Sequence, residues 1–136
     1  MNLSGLLPLI EEALDGERMS RLLPGGSAPS GPLIIGVPDG AKAALIALLA
    51  QRTDAPLVVV TARSNRALAL VEELGAWLGS DERLHLFPRR AALPYERIAP
   101  DADAVRDRLR VLALLSGRYD TPPIIVAPVQ ALAEAT

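Results

Sequence analysis

The sequence lacks the residues that several classes of functional site require. It has 136 residues, no cysteine and one histidine, His85. The absence of cysteine excludes a disulfide framework and a thiolate metal site, and one histidine cannot build a histidine-based metal cluster. Aromatic residues make up only 3% of the chain, which argues against a platform that stacks nucleic-acid bases. No apolar run approaches the roughly 18–20 residues that a membrane span needs, and we expect no signal peptide.

The residues that are present have the balance of a small globular domain. Hydrophobic residues make up 50% of the chain and charged residues 22%, which excludes a disordered protein. The net charge is −2, so any contact with nucleic acid must come from a local basic patch. A chain without cysteine is compatible with a reducing compartment, and we expect a cytoplasmic protein.

The first 32 residues predict a helical arm followed by a flexible loop. Leucine and isoleucine recur at helical spacing from Leu3 to Leu14, and Gly16 ends that helix. A second short helix is predicted over 17–23. The run PGGSAPSGP at 24–32 holds three glycines and three prolines, which exclude regular structure.

Strand and helix patterns alternate from residue 33 to residue 136, which predicts a parallel sheet covered by helices on both faces. Four apolar strands are predicted, at Leu33–Val37, Pro56–Thr61, Arg83–Phe87 and Ile124–Ala127. Helices are predicted at Ala41–Gln51, at Ser64–Leu78 with Ser64 as its cap, from Asp101 or Asp103 to Gly117, and from Val129 onward. We interpret 33–136 as part of a larger domain.

The helix after Asp101 carries an apolar stripe and a charged side. Four apolar residues line one face: Val105, Leu109, Leu112 and Leu115. Four charged residues are most simply its exposed side: Arg106, Asp107, Arg108 and Arg110.

The turn from Gly36 to Ala43 lies where a phosphate-binding loop would lie, between a predicted strand and a predicted helix. A working loop has the form G-x-x-x-x-G-K-[ST], and Gly36 and Lys42 match it. Ala41 replaces the second glycine, and Ala43 replaces the hydroxyl that binds Mg²⁺. We interpret the turn as a degenerate loop, and we expect no cofactor to bind at Gly36, Gly40, Ala41, Lys42 or Ala43.

The remaining candidates each have a structural explanation beside a functional one. Arg63 and Arg66, at the start of a helix, could contact a phosphate of nucleic acid, and so could Arg89 and Arg90; for the pair at 63 and 66 we prefer the simpler explanation, a serine cap with solvated arginines. For His85 we expect a packed or edge histidine. Other candidate acid–base groups are Glu96 in the run Tyr95–Arg97, and Asp101 and Asp103, which helix capping explains.

Several stretches together resemble a known family. They are LIIGVPDGAKAALIALLAQ (33–51), PLVVVTARSNRALALVEELGAWLG (56–79), LHLFPRRAALPYERIAPDADAVRDRLRVLALL (84–115) and PPIIVAPVQALAEAT (122–136). They resemble the N-terminal region of bacterial transcription-repair coupling factor (Mfd), which is itself similar to the excision-repair protein UvrB. The most specific parts are the F-P-x-x-x-x-L-P-Y-E run at Phe87–Glu96 and the P-x-x-D motif with the arginine-containing helix after it. UvrB keeps a complete phosphate loop, so Ala41 and Ala43 favour the coupling factor.

The resemblance implies a RecA-like (UvrB-like domain 1a) segment that acts as a non-catalytic scaffold. The full-length protein would be an ATP-dependent DNA translocase whose C-terminal motor uses ATP and Mg²⁺ and contacts DNA. It would displace stalled RNA polymerase and recruit UvrA through other domains, and this segment would pack against C-terminal domains of the same protein. No catalytic residue, metal ligand or membrane contact is expected in the segment.

One alternative is a UvrB-like or other helicase domain that binds and hydrolyses ATP and contacts DNA. Another is direct nucleic-acid binding through Arg63, Arg66, Arg89 and Arg90.

Overall fold

A computed structural model describes residues 1–14, 16–22, 31–90, 101–117 and 119–134. It divides into two compact units. The first is Met1–Asp54 with Glu73–Ser80, and the second is Ala55–Glu72 with Asp81–Thr136. No described helix is both long and apolar enough to cross a membrane.

The first unit is helical. Its elements are a 3₁₀ turn at Ser4–Leu6, α1 at Leu7–Ala13, α2 at Gly16–Leu22 and α3 at Asp39–Arg52. Small apolar side chains make α3 a helix that packs closely, and its buried residues are Ala43, Ala44, Ala47, Leu48 and Ala50. Leu7 of α1 is also buried, and Glu11 of α1 forms an ion pair with Arg52 of α3. The helix predicted at 41–51 is therefore confirmed and is longer by a few residues.

The amino terminus of this unit is fixed by specific contacts. The side-chain oxygen of Asn2 accepts hydrogen bonds from the backbone N–H and the hydroxyl of Ser4, at 2.9 and 2.7 Å. The Leu3 N–H donates to the carbonyl of Ala76, at 2.7 Å. Gly79 has a φ of +72°, and a Cβ there would lie 2.9 Å from the Asn2 amide nitrogen. Only glycine fits that conformation and that space, and the prediction that Gly79 ends a helix is confirmed.

The second unit contains a three-stranded, all-parallel sheet. The strands are β1 at Leu57–Thr61, β2 at Leu84–Leu86 and β3 at Ile124–Pro128, in the order β1-β3-β2. All five residues of β3 are buried, as expected for a central parallel strand with both faces covered. The chain passes from β1 to β2 in one direction across the sheet and from β2 to β3 in the other. Right-handed crossovers therefore place α4 (Ser64–Leu78) and α5 (Ala102–Leu115) on opposite faces.

The predicted strand at Leu33–Val37 is wrong. Residues 32–38 have no regular secondary structure, and Ile34 is 93% exposed. Leu33 and Ile35 are also exposed, at 42% and 46%. An apolar run forms a buried strand only where a neighbouring strand accepts its hydrogen bonds, and no described strand pairs with this one. The parallel α/β architecture is confirmed with three of the four predicted strands.

The predicted faces of α5 are wrong in part: Arg106 and Arg110 are exposed as predicted and Asp107 is partly exposed, but Arg108 and the apolar stripe are not where the pattern predicts them. The core cluster beneath α5 and α6 (Val129–Ala133) consists of Phe87, Val111, Ile125, Ala127 and Ala131. The predicted stripe is exposed instead: Val105 41%, Leu109 56%, Leu112 39% and Leu115 46%. Arg108, predicted to be exposed, is buried. The stripe is the more apolar flank of the helix, but the sheet in this segment contacts the neighbouring flank.

Candidate functional site

The stretch that matches a phosphate loop forms a coil-to-helix turn. α3 begins at Asp39, so Gly40, Ala41 and Lys42 lie in its first turns. The Lys42 ammonium pairs with the Asp39 carboxylate one turn away on the same helix. A Cβ added at Gly36 or Gly40 would meet nothing within 4 Å, so neither glycine is required by a close contact. Whether any ligand binds Gly36, Gly40, Ala41, Lys42 or Ala43 stays a prediction.

The carboxyl edge of the sheet collects the basic residues singled out above. Parallel strands end at one edge, so the segment with Arg63 and Arg66 after β1 and the segment with Arg89 and Arg90 after β2 lie on either side of the end of β3. Two strand spacings separate them, about 10 Å. Arg63, Arg89 and Arg90 are exposed, and Arg66 is partly exposed.

Local hydrogen bonds hold the two segments. The Thr61 hydroxyl donates to the carbonyl of Arg63, at 3.0 Å, and the Arg90 N–H donates to the Glu134 carboxylate, at 2.6 Å. Helix α4 begins at Ser64 as predicted, but the Ser64 hydroxyl has no hydrogen-bond partner among the described residues. The predicted capping role of Ser64 is therefore not observed.

Arg108 lies at this edge in a buried position that the sequence did not predict. Its side chain is buried between α5, the segment after β2 and α6, with the guanidinium carbon 4.2 Å from the centre of the Phe87 ring. Its nitrogens donate to the carbonyls of Pro88, Ala131 and Glu134, at 2.8, 3.3 and 3.2 Å. Burial lowers the pKa of Arg108, the nearby Glu134 carboxylate opposes that shift, and Arg90 adds to it.

These contacts make Arg108 a structural cation and not a ligand-binding one. Its two terminal nitrogens donate to backbone carbonyls of the protein, and the Glu134 carboxylate lies 3.8 Å from one of them. A guanidinium keeps its charge and can serve several carbonyls at once, which suits a junction between three segments. The sequence signal that could have revealed it is the spacing of Arg108 and Val111, three residues apart on one helical face.

A cavity of about 190 Å³ lies beside β2, at the edge of the described sheet. Its lining residues are Leu84, His85, Leu86, Asp107, Arg110 and Val111. Partial burial, and secondarily the positive charge of Arg110, lowers the pKa of His85. The lowered pKa favours the neutral ring, and the position of His85 in β2, at the edge of the described sheet, agrees with the prediction of an edge histidine.

The candidate acidic groups do not assemble into a metal site within the described ranges. Asp101 is the N-cap of α5, where its carboxylate accepts a hydrogen bond from the Asp103 N–H at 3.0 Å. Asp103 pairs with Arg106 at 3.1 Å. The capping interpretation of Asp101 is confirmed. Glu96 and the run Tyr95–Arg97 lie outside the described residues, as does most of the Phe87–Glu96 motif.

Comparison with known proteins identifies the relatives of this chain. No family model matches it. It is 31% identical over 129 residues to the transcription-repair-coupling factors of Mycobacterium bovis and of Mycobacterium tuberculosis, across 91% of this chain. It is homologous to a segment of transcription-repair-coupling factors. The factor of Myxococcus xanthus is 34% identical over 102 residues, across 71% of the chain.

The match covers a small part of each relative. The chain spans 10% of the length of the two mycobacterial coupling factors and 8% of the myxococcal one. The resemblance deduced from the sequence motifs is confirmed by these matches.

Proposed function

We propose that this chain is a non-catalytic scaffold segment of a transcription-repair-coupling factor. In the full-length protein, a motor elsewhere would use ATP and Mg²⁺ to move on DNA and displace stalled RNA polymerase, and other domains would recruit UvrA. This segment would hold neighbouring domains in position. The protein would act in the cytoplasm, in nucleotide excision repair.

The observation that carries the scaffold role is the state of the 36–43 turn. The strand that should precede a phosphate loop is absent from the described sheet, and the lysine pairs with Asp39 of its own helix. Ala41 and Ala43 remove the second glycine and the Mg²⁺-binding hydroxyl. Each of these features acts against phosphate binding, so the segment supplies shape and not chemistry.

Equilibrium binding of a fluorescent ATP analogue in the presence of Mg²⁺ tests this role. The scaffold role predicts no saturable binding by the wild-type chain, and an unchanged result for Lys42→Ala. Saturable binding that Lys42→Ala abolishes would support the competing function, an ATP-hydrolysing helicase domain.

A second candidate function is weak contact with nucleic acid through Arg63, Arg66, Arg89 and Arg90. The observation in its favour is that both arginine pairs flank the same end of β3, where Arg63, Arg89 and Arg90 are exposed and Arg66 is partly exposed. Phosphate contacts of this kind predict an affinity for DNA that falls as salt is raised. Fluorescence anisotropy with a labelled duplex at low salt measures it, and no binding by the wild-type chain would remove this candidate.

A further inference from the structure

One face of the sheet is fully covered over β3 and half-open over β1. Val58 and Val60 of β1 are level with Ile125 and Ala127 of β3, and residues level with each other in a parallel pair point to the same face. Ile125 and Ala127 are 2% and 0% exposed. Val58 and Val60 are 47% and 51% exposed. The covering layer on this face therefore stops between the two strands.

Helix α5 forms that covering layer, and its flanks can be ordered from the contacts. Val111 packs on Ile125 and Ala127, which places one side of α5 on the sheet. Asp107 and Arg110 line the cavity beside β2, which places a second side towards the outer edge of β2. With 100° of rotation per residue, the flank opposite Asp107 and Arg110 faces β1. The apolar residues on that flank are Val105, Leu109 and Leu112.

The open face of β1 and this flank of α5 together form an apolar step. We define it by its five half-exposed side chains: Val58, Val60, Val105, Leu109 and Leu112. β1 supplies the floor of the step and α5 supplies the wall. Helix α6 has five residues and is only about 7.5 Å long. It packs at the end of β3 and leaves the step exposed.

The dimensions of the step match a second helix beside α5. Helices on one face of a sheet pack 8–10 Å apart, which is about two strand spacings of 4.8 Å. Because α5 lies over β2 and β3, the next helix position lies over β1 and the strand position beyond it. Spacings of four and three residues from Val105 to Leu109 to Leu112 are typical of a helix that packs against a neighbouring helix.

We propose that the apolar step is the seat of an amphipathic α-helix supplied by the longer polypeptide of the coupling factor. A connection from β3 to a strand beyond β1 runs in the same direction across the sheet as the connection from β2 to β3. The right-handed crossover rule then places its helix on the face of α5, which is the face of the step. The relatives are roughly ten times longer than the matched segment, so the polypeptide has the length to supply it. The inference rests on the proposed function only in taking the chain as part of a coupling factor.

Single cysteines test the step, because the chain contains no cysteine of its own. Val60→Cys and Leu109→Cys lie within the step, and Leu68→Cys on α4 lies on the opposite face of the sheet as a control. The three native side chains are matched in exposure, at 51%, 56% and 54%. Each variant is made in the 136-residue chain and in the full-length natural coupling factor, and the rate of maleimide labelling is measured against the same protein without the added cysteine.

We expect all three cysteines to label at similar rates in the 136-residue chain. In the full-length protein, labelling at 60 and 109 should slow by about 100-fold, because the thiol reacts only when the docked helix opens. Labelling at 68 should not slow to that extent. Equal rates at 60 and 109 in both proteins would overturn the proposal.

Two further measurements identify the occupant. A maleimide–diazirine reagent on the cysteine at 109 of the full-length protein should cross-link to a peptide outside the 136 residues of the same polypeptide. A cross-link to a second copy of this segment, or protection of the isolated chain that grows with its concentration, would assign the step to self-association and overturn the proposal.

Amide hydrogen exchange of the unsubstituted proteins provides a readout that no mutation can disturb: α5 and β1 should exchange more slowly in the full-length protein. These results do not depend on nucleotide binding, so the failure of this inference and that of the scaffold role are distinguishable.

Discussion

Two neighbouring sides of helix α5, which is about 21 Å long, differ in what the fold buries. The side that the rest of the fold reaches carries Arg108 and Val111, and both are 2% exposed. The other carries Val105, Leu109 and Leu112 and leaves them half-exposed. Hydrophobic periodicity identifies the side of a helix that gains most from burial. In this chain, the side of α5 that is buried is the one that packs on the described sheet. We infer from this difference that a further part of the longer polypeptide packs on the half-exposed side.

The largest expected effect is that of Arg108→Ala. The substitution leaves the carbonyls of Pro88, Ala131 and Glu134 without their donor, in a buried site. We expect the free energy of unfolding to fall by about 3 kcal/mol. Urea unfolding measures it, with Arg110→Ala on the exposed side of the same helix as the control. Equal effects of the two substitutions would contradict the structural role of Arg108.

A smaller loss of stability is expected when an apolar side chain of α5 is truncated, and its size should differ between the buried side and the half-exposed side. Val111→Ala removes two methyl groups from a buried cluster, and we expect a loss of about 2 kcal/mol in the free energy of unfolding. Leu109→Ala removes more atoms, but from a half-exposed side chain, and should cost at most about 0.5 kcal/mol in the isolated chain. The comparison fails if Leu109→Ala is the more destabilising of the two.

Capping of α5 by Asp101 should give an effect of about 1 kcal/mol. Asp101→Ala removes the side-chain acceptor of the Asp103 N–H, which is one of the first amides of the helix. Asp101→Asn keeps the acceptor and should retain most of the stability. Helical content by circular dichroism and urea midpoints measure both variants, and equal losses for the two would show that charge and not capping matters.

The smallest effect concerns the third side of α5, beside His85. Because the pKa of His85 is lower in the folded protein than its ordinary value of 6.5, the unfolded chain binds more protons between the two values. Stability contributed by the neutral ring is complete above that ordinary pKa and is lost as pH falls below it. Urea unfolding at about pH 7.5 and about pH 5.5 should show a smaller fall in stability for His85→Gln than for the wild-type chain. An identical fall would mean that His85 does not titrate with unfolding.

The sequence carried enough information to predict the α/β class, three strands and the ends of α4 and α5. Val59, Val126 and their neighbours form β-branched and apolar runs that are typical of strands, and Gly79 and Gly117 adopt positive φ values where a helix ends. Asp101 was predicted as a cap for the same local reason. These features depend on backbone conformation and hydrogen bonds among a few adjacent residues, which the local sequence determines.

The predictions that were wrong concern residues whose environment depends on partners distant in the sequence. Leu33–Ile35 has the composition of a strand but finds no described strand to pair with, so its apolar side chains are exposed. Arg108 has the composition of a solvated residue, yet Phe87 and carbonyls from 20 to 26 residues away enclose it. Periodicity cannot anticipate which flank of a helix the rest of the fold will reach.

The most direct test of the scaffold role is Mg²⁺-dependent ATP hydrolysis by the wild-type chain and by a variant that restores the phosphate-loop residues, Ala41→Gly with Ala43→Thr. Restoring two side chains does not restore the missing strand, the Mg²⁺ carboxylate or the group that positions water. The scaffold role therefore predicts phosphate release at the buffer rate for both proteins. Mg²⁺-dependent turnover by either protein, abolished by Lys42→Ala, would contradict it.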